Sequence, residues 1–391
     1  MKLSEGVILS LEKNPLFVTC ASALEPLLME ELAEMGISSL YMGYRGVYIN
    51  EWNWKTVYQI NYSSRIASRV LLPMLRFRCF DRRSLYRHAM EIDWTQYLKE
   101  GWTFAIDANV HHRELRNSLF AAQVVKDAIC DQMRQRKGKR PSVQIQHPDL
   151  QLNLFIQQQN AIISFDTSGE PLHKRGYRQE PVEAPIKETL AAAILRLAHY
   201  KEGDILLDPC CGSGTFLVEA ALMASHTPPG YLRSRWGFMR HPRFDSAEWL
   251  KVRNQVDEKR VSLVPQHLFG IDRSQVAVRA AKINLKAAGF HQQVEVQQGD
   301  FRDYSPPIMP NLIIANPPHG RRLEEEEQLR PLYRALGDFM KHHCTKSGKG
   351  YVFTSNLELT KEVGLAADKR HVLSNGGLES RLLEYSFFHN P

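Results

Sequence analysis

The sequence is notable first for what it lacks. No stretch of the 391 residues is apolar over the roughly 18–20 positions needed to cross a bilayer. The opening segment, Met1 to Asn14, carries acidic residues and lacks the basic, apolar and small-residue order of a secretory leader. Cysteine is scarce: Cys20, Cys79, Cys130 and Cys344 are scattered, Cys210 and Cys211 are adjacent, and none has CxxC spacing. That excludes a zinc-ribbon or disulfide framework, and all six are read as reduced and mostly structural. There is no internal repeat and no low-complexity tract. These absences predict a soluble, cytoplasmic protein with no metal and no membrane partner. The chain stops at Pro391.

What is present is ordinary globular material, 43% hydrophobic and 24% charged, long enough for two domains that each bury a core. The formal net charge is +7, and its distribution says more than its size. Residues 1–43 hold two Lys/Arg against six Asp/Glu, whereas residues 44–140 hold eighteen against nine. A basic block of that size inside a folded domain suits a phosphate backbone, although a solvated surface would carry the same charges. The phosphate candidates are Arg113, Arg116, Arg134, Arg136, Lys137, Lys139 and Arg140, with Lys174, Arg175 and Arg178 further on.

Periodicity divides the chain. The first part reads as small α+β: a strand at 17–21, a helix over 24–36, strands near Leu40–Met42 and Gly46–Ile49, and a helix near Trp54–Tyr62. An apolar run interleaved with arginines follows, then a strand over 103–110 and a helix over 119–136. The stretches SVQIQHP, LQLNLFIQQ and NAIISFDTS alternate as half-buried strands, ending near residue 166. Residues 167–185, with three prolines and two glycines, read as a linker or crossing loop. After them strands and helices alternate, which predicts an open parallel sheet, interrupted by a mixed insertion over 226–266. The run Glu324–Glu327 reads as a solvated helix start.

The chemistry concentrates in that second part. DPCCGSGT (208–215) follows an apolar strand and opens a helix. Gly212 and Gly214 let backbone approach a ligand, and the helix start aims N–H groups at it. The third glycine of a dinucleotide fingerprint is replaced by Leu217, so the loop suits a ligand without a pyrophosphate. Asp208 can face an ammonium, Asp272 two ribose hydroxyls, and Asp300 an exocyclic amine, each at the end of a successive strand. NPPH (316–319) follows a fourth strand, and its two prolines fix the backbone. The Asn316 side-chain oxygen and the Pro317 carbonyl can then orient one amino group, with the next ring stacking on a base.

The combination of DPCCGSGT with NPPH resembles the amino-methyltransferases. Together with LHKRGYR (172–178), IKETLAAA (186–193) and RWGF (235–238), it is similar to bacterial large-subunit rRNA guanine-N2 methyltransferases of the RlmL type. The resemblance implies a Rossmann-like S-adenosylmethionine methyltransferase domain over 186–391, α/β in class. Before it would come an α+β RNA-binding part, with a ferredoxin-like segment over 1–43 and a THUMP domain over 44–166. It implies S-adenosylmethionine as cofactor, held by Thr189, Asp208, Pro209, Cys211, Gly212, Ser213, Gly214, Asp272, Arg273, Asp300 and Phe301. Asn316, Pro317, Pro318 and His319 would position a guanine amine of 23S rRNA, naked or in a precursor particle. The family usually has tyrosine where this chain has His319, whose imidazole stacks more weakly. A second methyltransferase domain, which some members carry, is expected to be absent.

Three rival readings stay open. An adenine-N6 methyltransferase on RNA or DNA uses the same tetrapeptide. A non-catalytic ribosome-assembly factor could keep the fold. A nicotinamide oxidoreductase lacks support from the missing glycine.

Overall fold

The computed structural model describes residues 7–8, 14–180, 185–320 and 323–387. The expectations for the Met1–Asn14 leader and for Pro391 fall almost wholly outside these residues, as does 181–184 of the expected linker. Two compact units emerge. Unit 1 takes residues up to Cys20, Leu28–Leu172 and Arg233–Asn254, and unit 2 takes Ala21–Leu27, His173–Leu232 and the chain from Gln255. Among the described residues no helix is long and apolar enough to cross a membrane.

Unit 1 is built on a nine-stranded sheet. In chain order its elements are β1 (Val7–Ile8), β2 (Leu16–Thr19), α1 (Glu25–Glu34), β3 (Leu40–Gly43), β4 (Gly46–Ile49) and α2 (Trp54–Ser63). They continue with β5 (Arg69–Arg78), α3 (Arg82–Ala89), β6 (Thr103–His111), α4 (Ser118–Lys137), β7 (Ser142–Val143), β8 (Leu150–Gln157) and β9 (Asn160–Asp166). The strand order is β3-β4-β2-β5-β9-β8-β6-β7, with β1 also on β5. The central strand β5 is the arginine-interleaved apolar run. Its register against β9 shifts between Pro73 and Leu75, where the proline has no N–H to give the ladder.

Two elements depart from the sequence reading. SVQIQHP forms only the two-residue β7; Ile145 is 85% exposed, so alternation there marks no buried face. Helix α3 was not foreseen, although Asp81 and Ser84 form a reciprocal capping box at its start.

Unit 2 contains α5 (Glu188–Leu197), β10 (Leu206–Asp208), α6 (Thr215–Ala224), α7 (Ser246–Asp257), β11 (Leu268–Asp272) and α8 (Gln275–Ala287). After these come β12 (Val294–Gln298), β13 (Leu312–Ala315), α9 (Leu323–His343), β14 (Lys349–Thr354), β15 (Lys369–Asn375) and β16 (Leu378–Ser386), with α7 assigned mainly to unit 1. The sheet order is β12-β11-β10-β13-β14-β16-β15. The parallel expectation holds for five strands and is corrected for the last two, because β16 runs antiparallel to both β14 and β15. The turn between β15 and β16 is Gly376–Gly377, both at positive φ, the backbone a two-residue hairpin needs. At the start of α9, Glu326 is not simply solvated: it pairs with Arg330 and accepts from Asn356, while the side chains of 324 and 325 lie outside the described residues.

The insertion between α6 and β11 completes the core of unit 1. Trp236, Phe238 and Trp249 are at most 5% exposed and meet Tyr58 and Tyr62, with ring centroids 4.9 Å apart for Tyr58–Phe238 and 5.4 Å for Tyr62–Trp249. Each such pair contributes roughly 0.5–1.5 kcal/mol beyond its buried area. Arg233 lies over Trp236 and donates to the carbonyls of Ser168, Glu170 and Pro171. Gly237 fits because it has no side chain: a Cβ there would sit 2.2 Å from the Asp166 carbonyl and 2.7 Å from the Gly169 nitrogen. Gly237→Ala is therefore expected to destabilise the protein by about 1–3 kcal/mol through forced backbone movement. An unchanged thermal midpoint would show that the close approach is not a constraint.

Candidate active site at the parallel strand ends

Parallel registers place the functional residues in depth. Leu206, Leu268, Val294 and Leu312 share one row across β10, β11, β12 and β13. Asp208 lies two residues beyond that row and Asp272 four, each the last residue of its strand, while Asn316, four beyond, and Asp300, six beyond, lie past the ends of β13 and β12. Strand β10 sits between β11 and β13, where the winding of the sheet reverses; open α/β sheets bind ligands at such a point.

The loop after β10 is built for backbone exposure. Gly212 has φ +52° and a built Cβ would meet nothing within 4 Å. Gly214 has φ +76° at the N-cap of α6, and a Cβ there would press on Ala281 of α8 at 3.1 Å. The Gly212 N–H donates to Asp272 Oδ2 at 2.9 Å, while Asp272 Oδ1 accepts from Ser274 N at 2.9 Å. Pro209, Cys211 and Ser213 are buried; Arg273 is exposed; Thr189 is buried on the first turn of α5.

Asp208 is 1% exposed, and burial pushes its carboxyl up to about 8. The Cys210 N–H, 3.1 Å from Oδ1, opposes that rise and nearby Asp272 adds to it. Asp300 differs: Arg302 grips both oxygens, at 2.9 and 2.5 Å, and holds the carboxyl below its usual range. Burial pushes the Cys210 and Cys211 thiols well up, with Asp208 and Asp272 adding to it, so neither is a ready thiolate. Phe301 packs edge-on to Phe339, 5.4 Å between centroids, and borders a small cavity with Pro209, Cys210, Asp272, Asp300 and Pro318.

At the NPPH turn the Asn316 Oδ1 atom is buried with no hydrogen-bond partner. A buried acceptor left unmatched costs about 1–3 kcal/mol, a cost that an incoming donor would relieve. Pro317 is buried and Pro318 exposed. The Pro318 carbonyl accepts from Tyr333 Oη at 3.1 Å, and Tyr333 Oη also meets Thr354 Oγ1 at 2.9 Å. Thr354 Oγ1 lies 3.0 Å from His319 Nδ1, and Asn356 Nδ2 donates to the His319 carbonyl at 3.0 Å. Tyr333, Thr354 and Asn356 were missed by sequence reasoning, since α9 and β14 bring them from elsewhere in the chain and no local motif marks them.

Two expected RNA contacts are corrected. Arg175 is 2% exposed and paired with Glu219, out of reach of a phosphate. Arg178 braces the glycine loop: its guanidinium donates to Glu188 at 2.8 Å and to Ser213 Oγ, Thr215 Oγ1 and the Ile186 carbonyl, each at 3.1 Å. Asn284, 1% exposed, joins it by donating to the Ser213 carbonyl and accepting from Gln179 N. Within the expected linker or crossing loop, Leu172, Arg175 and Tyr177 are buried, while Lys174, Gly176, Gln179 and Glu180 are exposed. Lys174, Arg113, Arg116 and the 134–140 side chains are exposed. Within that last cluster Arg134 pairs with Asp131, Arg136 with Asp93, and Lys139 with Glu100.

A parallel sheet reversing at its first strand, a glycine loop at that reversal and an Asn-Pro-Pro turn beside it define a Rossmann-like fold of the methyltransferase type. The family described as RMKL-like, methyltransferase domain, matches residues 175–383, and the chain belongs to that family. A THUMP domain matches residues 81–166 and an RlmL ferredoxin-like domain residues 15–71. A ribosomal RNA large subunit methyltransferase K/L of Syntrophotalea carbinolica is 37% identical over 94% of this chain, which spans 53% of that protein, about half its length. A Synechocystis protein provisionally named an RNA methyltransferase is 35% identical over 96% of this chain and 97% of its own. The crystal structure of SMU.472, provisionally named a methyltransferase and complexed with SAH, superposes with a TM-score of 0.84 at 27% identity, covering 97% and 99% of the two chains.

The Asp208 environment has a consequence for stability. Its folded pKa, near 8, lies above the ordinary carboxylate value of 3.8. The stability it contributes is therefore complete only below pH about 4, and is lost as pH rises toward 8. Asp208→Asn should raise the thermal midpoint of the ligand-free protein more at pH 8 than at pH 5. Equal shifts at both pH values would mean that the carboxylate is not desolvated.

Proposed function

We propose that this protein is an S-adenosylmethionine-dependent RNA methyltransferase that forms N2-methylguanine in large-subunit ribosomal RNA. The observation that carries the reading is the unpartnered Asn316 oxygen on a proline-fixed turn beside the glycine loop. The family and the THUMP match support the class, and the names of the K/L relatives support ribosomal RNA as the substrate.

The site's residues fit the cofactor chemically. Asp208 and the glycine-loop N–H groups would take the amino-acid end, Asp272 the ribose and Asp300 the adenine. Bound there, S-adenosylmethionine supplies an electrophilic methyl group. Asn316 Oδ1 and the Pro317 carbonyl accept from an exocyclic amine and hold its lone pair in line, so positioning supplies most of the rate. The raised Cys210 and Cys211 thiols argue against a covalent route through either. An amine inside a stacked helix is out of reach, so the target base enters flipped out or from a loop.

Asn316→Ala is expected to lower turnover by about 10²-fold or more while leaving cofactor affinity within about twofold. Radiolabelled methyl transfer and calorimetry measure the two, and parallel loss of both would remove Asn316 from the substrate side. Nucleoside analysis of labelled rRNA identifies the product. N2-methylguanosine supports the proposal, N6-methyladenosine replaces guanine by adenine, and absence of label despite cofactor binding favours a non-catalytic factor.

A further inference from the structure

We infer that the paired N-terminal ends of α3 and α4 in unit 1 form a docking face for single-stranded RNA, with bases stacked on Phe80 and Phe120. The inference rests on the RNA reading above and assigns it a surface.

Three large apolar side chains stand in solvent there: Phe80 is 55% exposed, Leu119 68% and Phe120 41%. The two helix starts are drawn together by two contacts. The Arg82 guanidinium lies 6.0 Å from the Phe120 ring centroid, and His112 Nε2 meets the Cys79 carbonyl at 3.1 Å. The loop between β6 and α4 is already ordered, because His112 Nδ1 accepts from the backbone N–H of Glu114 and Leu115, and Leu115 is buried. Arg116 Nε donates to the Arg113 carbonyl and is held in place. An ordered loop loses little entropy on binding.

Charge selects the occupant. Arg82, Arg113 and Arg116 are exposed, and among the described residues none makes an ion pair with a carboxylate. In the 134–140 cluster, by contrast, three of the five cations are paired. Of the local acids, Asp81 caps α3 and Glu114 alone stands exposed in the loop. Unpaired guanidinium groups around exposed rings suit phosphates flanking unstacked bases, and a duplex would hide those bases.

The test measures binding of a fluorescent single-stranded rRNA oligonucleotide to the full chain across salt concentration. Phe80→Ala/Phe120→Ala should weaken binding about tenfold or more with an unchanged salt slope, because stacking releases no counterions. Arg113→Glu/Arg116→Glu should weaken binding and also flatten the slope. Phe80→Tyr/Phe120→Tyr should restore affinity, which separates ring loss from misfolding. Wild-type affinity in both sets of variants, or preference for a duplex of equal length, overturns the face while leaving the methyltransferase reading intact. If the unaltered protein neither binds nor methylates RNA, both readings fall.

Discussion

The register of four parallel strands is the constraint on which the site depends. Because β10, β11, β12 and β13 start in one row, the sheet alone sets how far each functional residue projects beyond it. A slip of one residue in β13 would turn its alternating faces over and carry Asn316 away from the glycine loop. Register is secured in turn by burial, since Leu207, Ile313, Ile271 and Ala315 all lie in one apolar cluster. The chemistry of the strand ends is thus fixed from below, by residues that take no part in it.

Two kinds of polar residue occupy those ends. Arg178, Asn284, Tyr333, Thr354 and Asn356 have their hydrogen bonds satisfied within the protein and act as braces. Asp208 is buried and accepts from the Cys210 N–H, and the Asn316 Oδ1 atom is buried with no partner. An unmatched buried acceptor is a costly feature that a ligand's donor can relieve.

The sequence exposed the site's local grammar well. DPCCGSGT and NPPH are contiguous, and their glycines and prolines state the backbone they need, so the loop, the turn and the strand-end acids were legible. Most strands and helices were as well. The braces were not, because Tyr333 reaches the Pro318 carbonyl from α9 and Thr354 reaches His319 from β14, and no short-range pattern records that. Arg175 and Arg178 were misread for the same reason: a basic residue looks like a surface charge until Glu219 and Glu188 are placed beside it. The alternation in SVQIQHP failed because a pattern of period two requires a face to bury, and β7 has none.

The aromatic insertion bears on the order in which the chain can be made and folded. A ribosome extrudes residues 28–172 of unit 1 first, then the glycine loop and α6 of unit 2, and only afterwards Arg233–Asn254. Until that last piece emerges, Tyr58 and Tyr62 lack the rings that cover them, and the groove that receives Gly237 stays empty. The first unit therefore gains its complete aromatic core only once that later segment has been made. A nascent chain that has reached only residue 232 lacks all the insertion's rings that cover Tyr58 and Tyr62, and exposed apolar surface of that kind is prone to association.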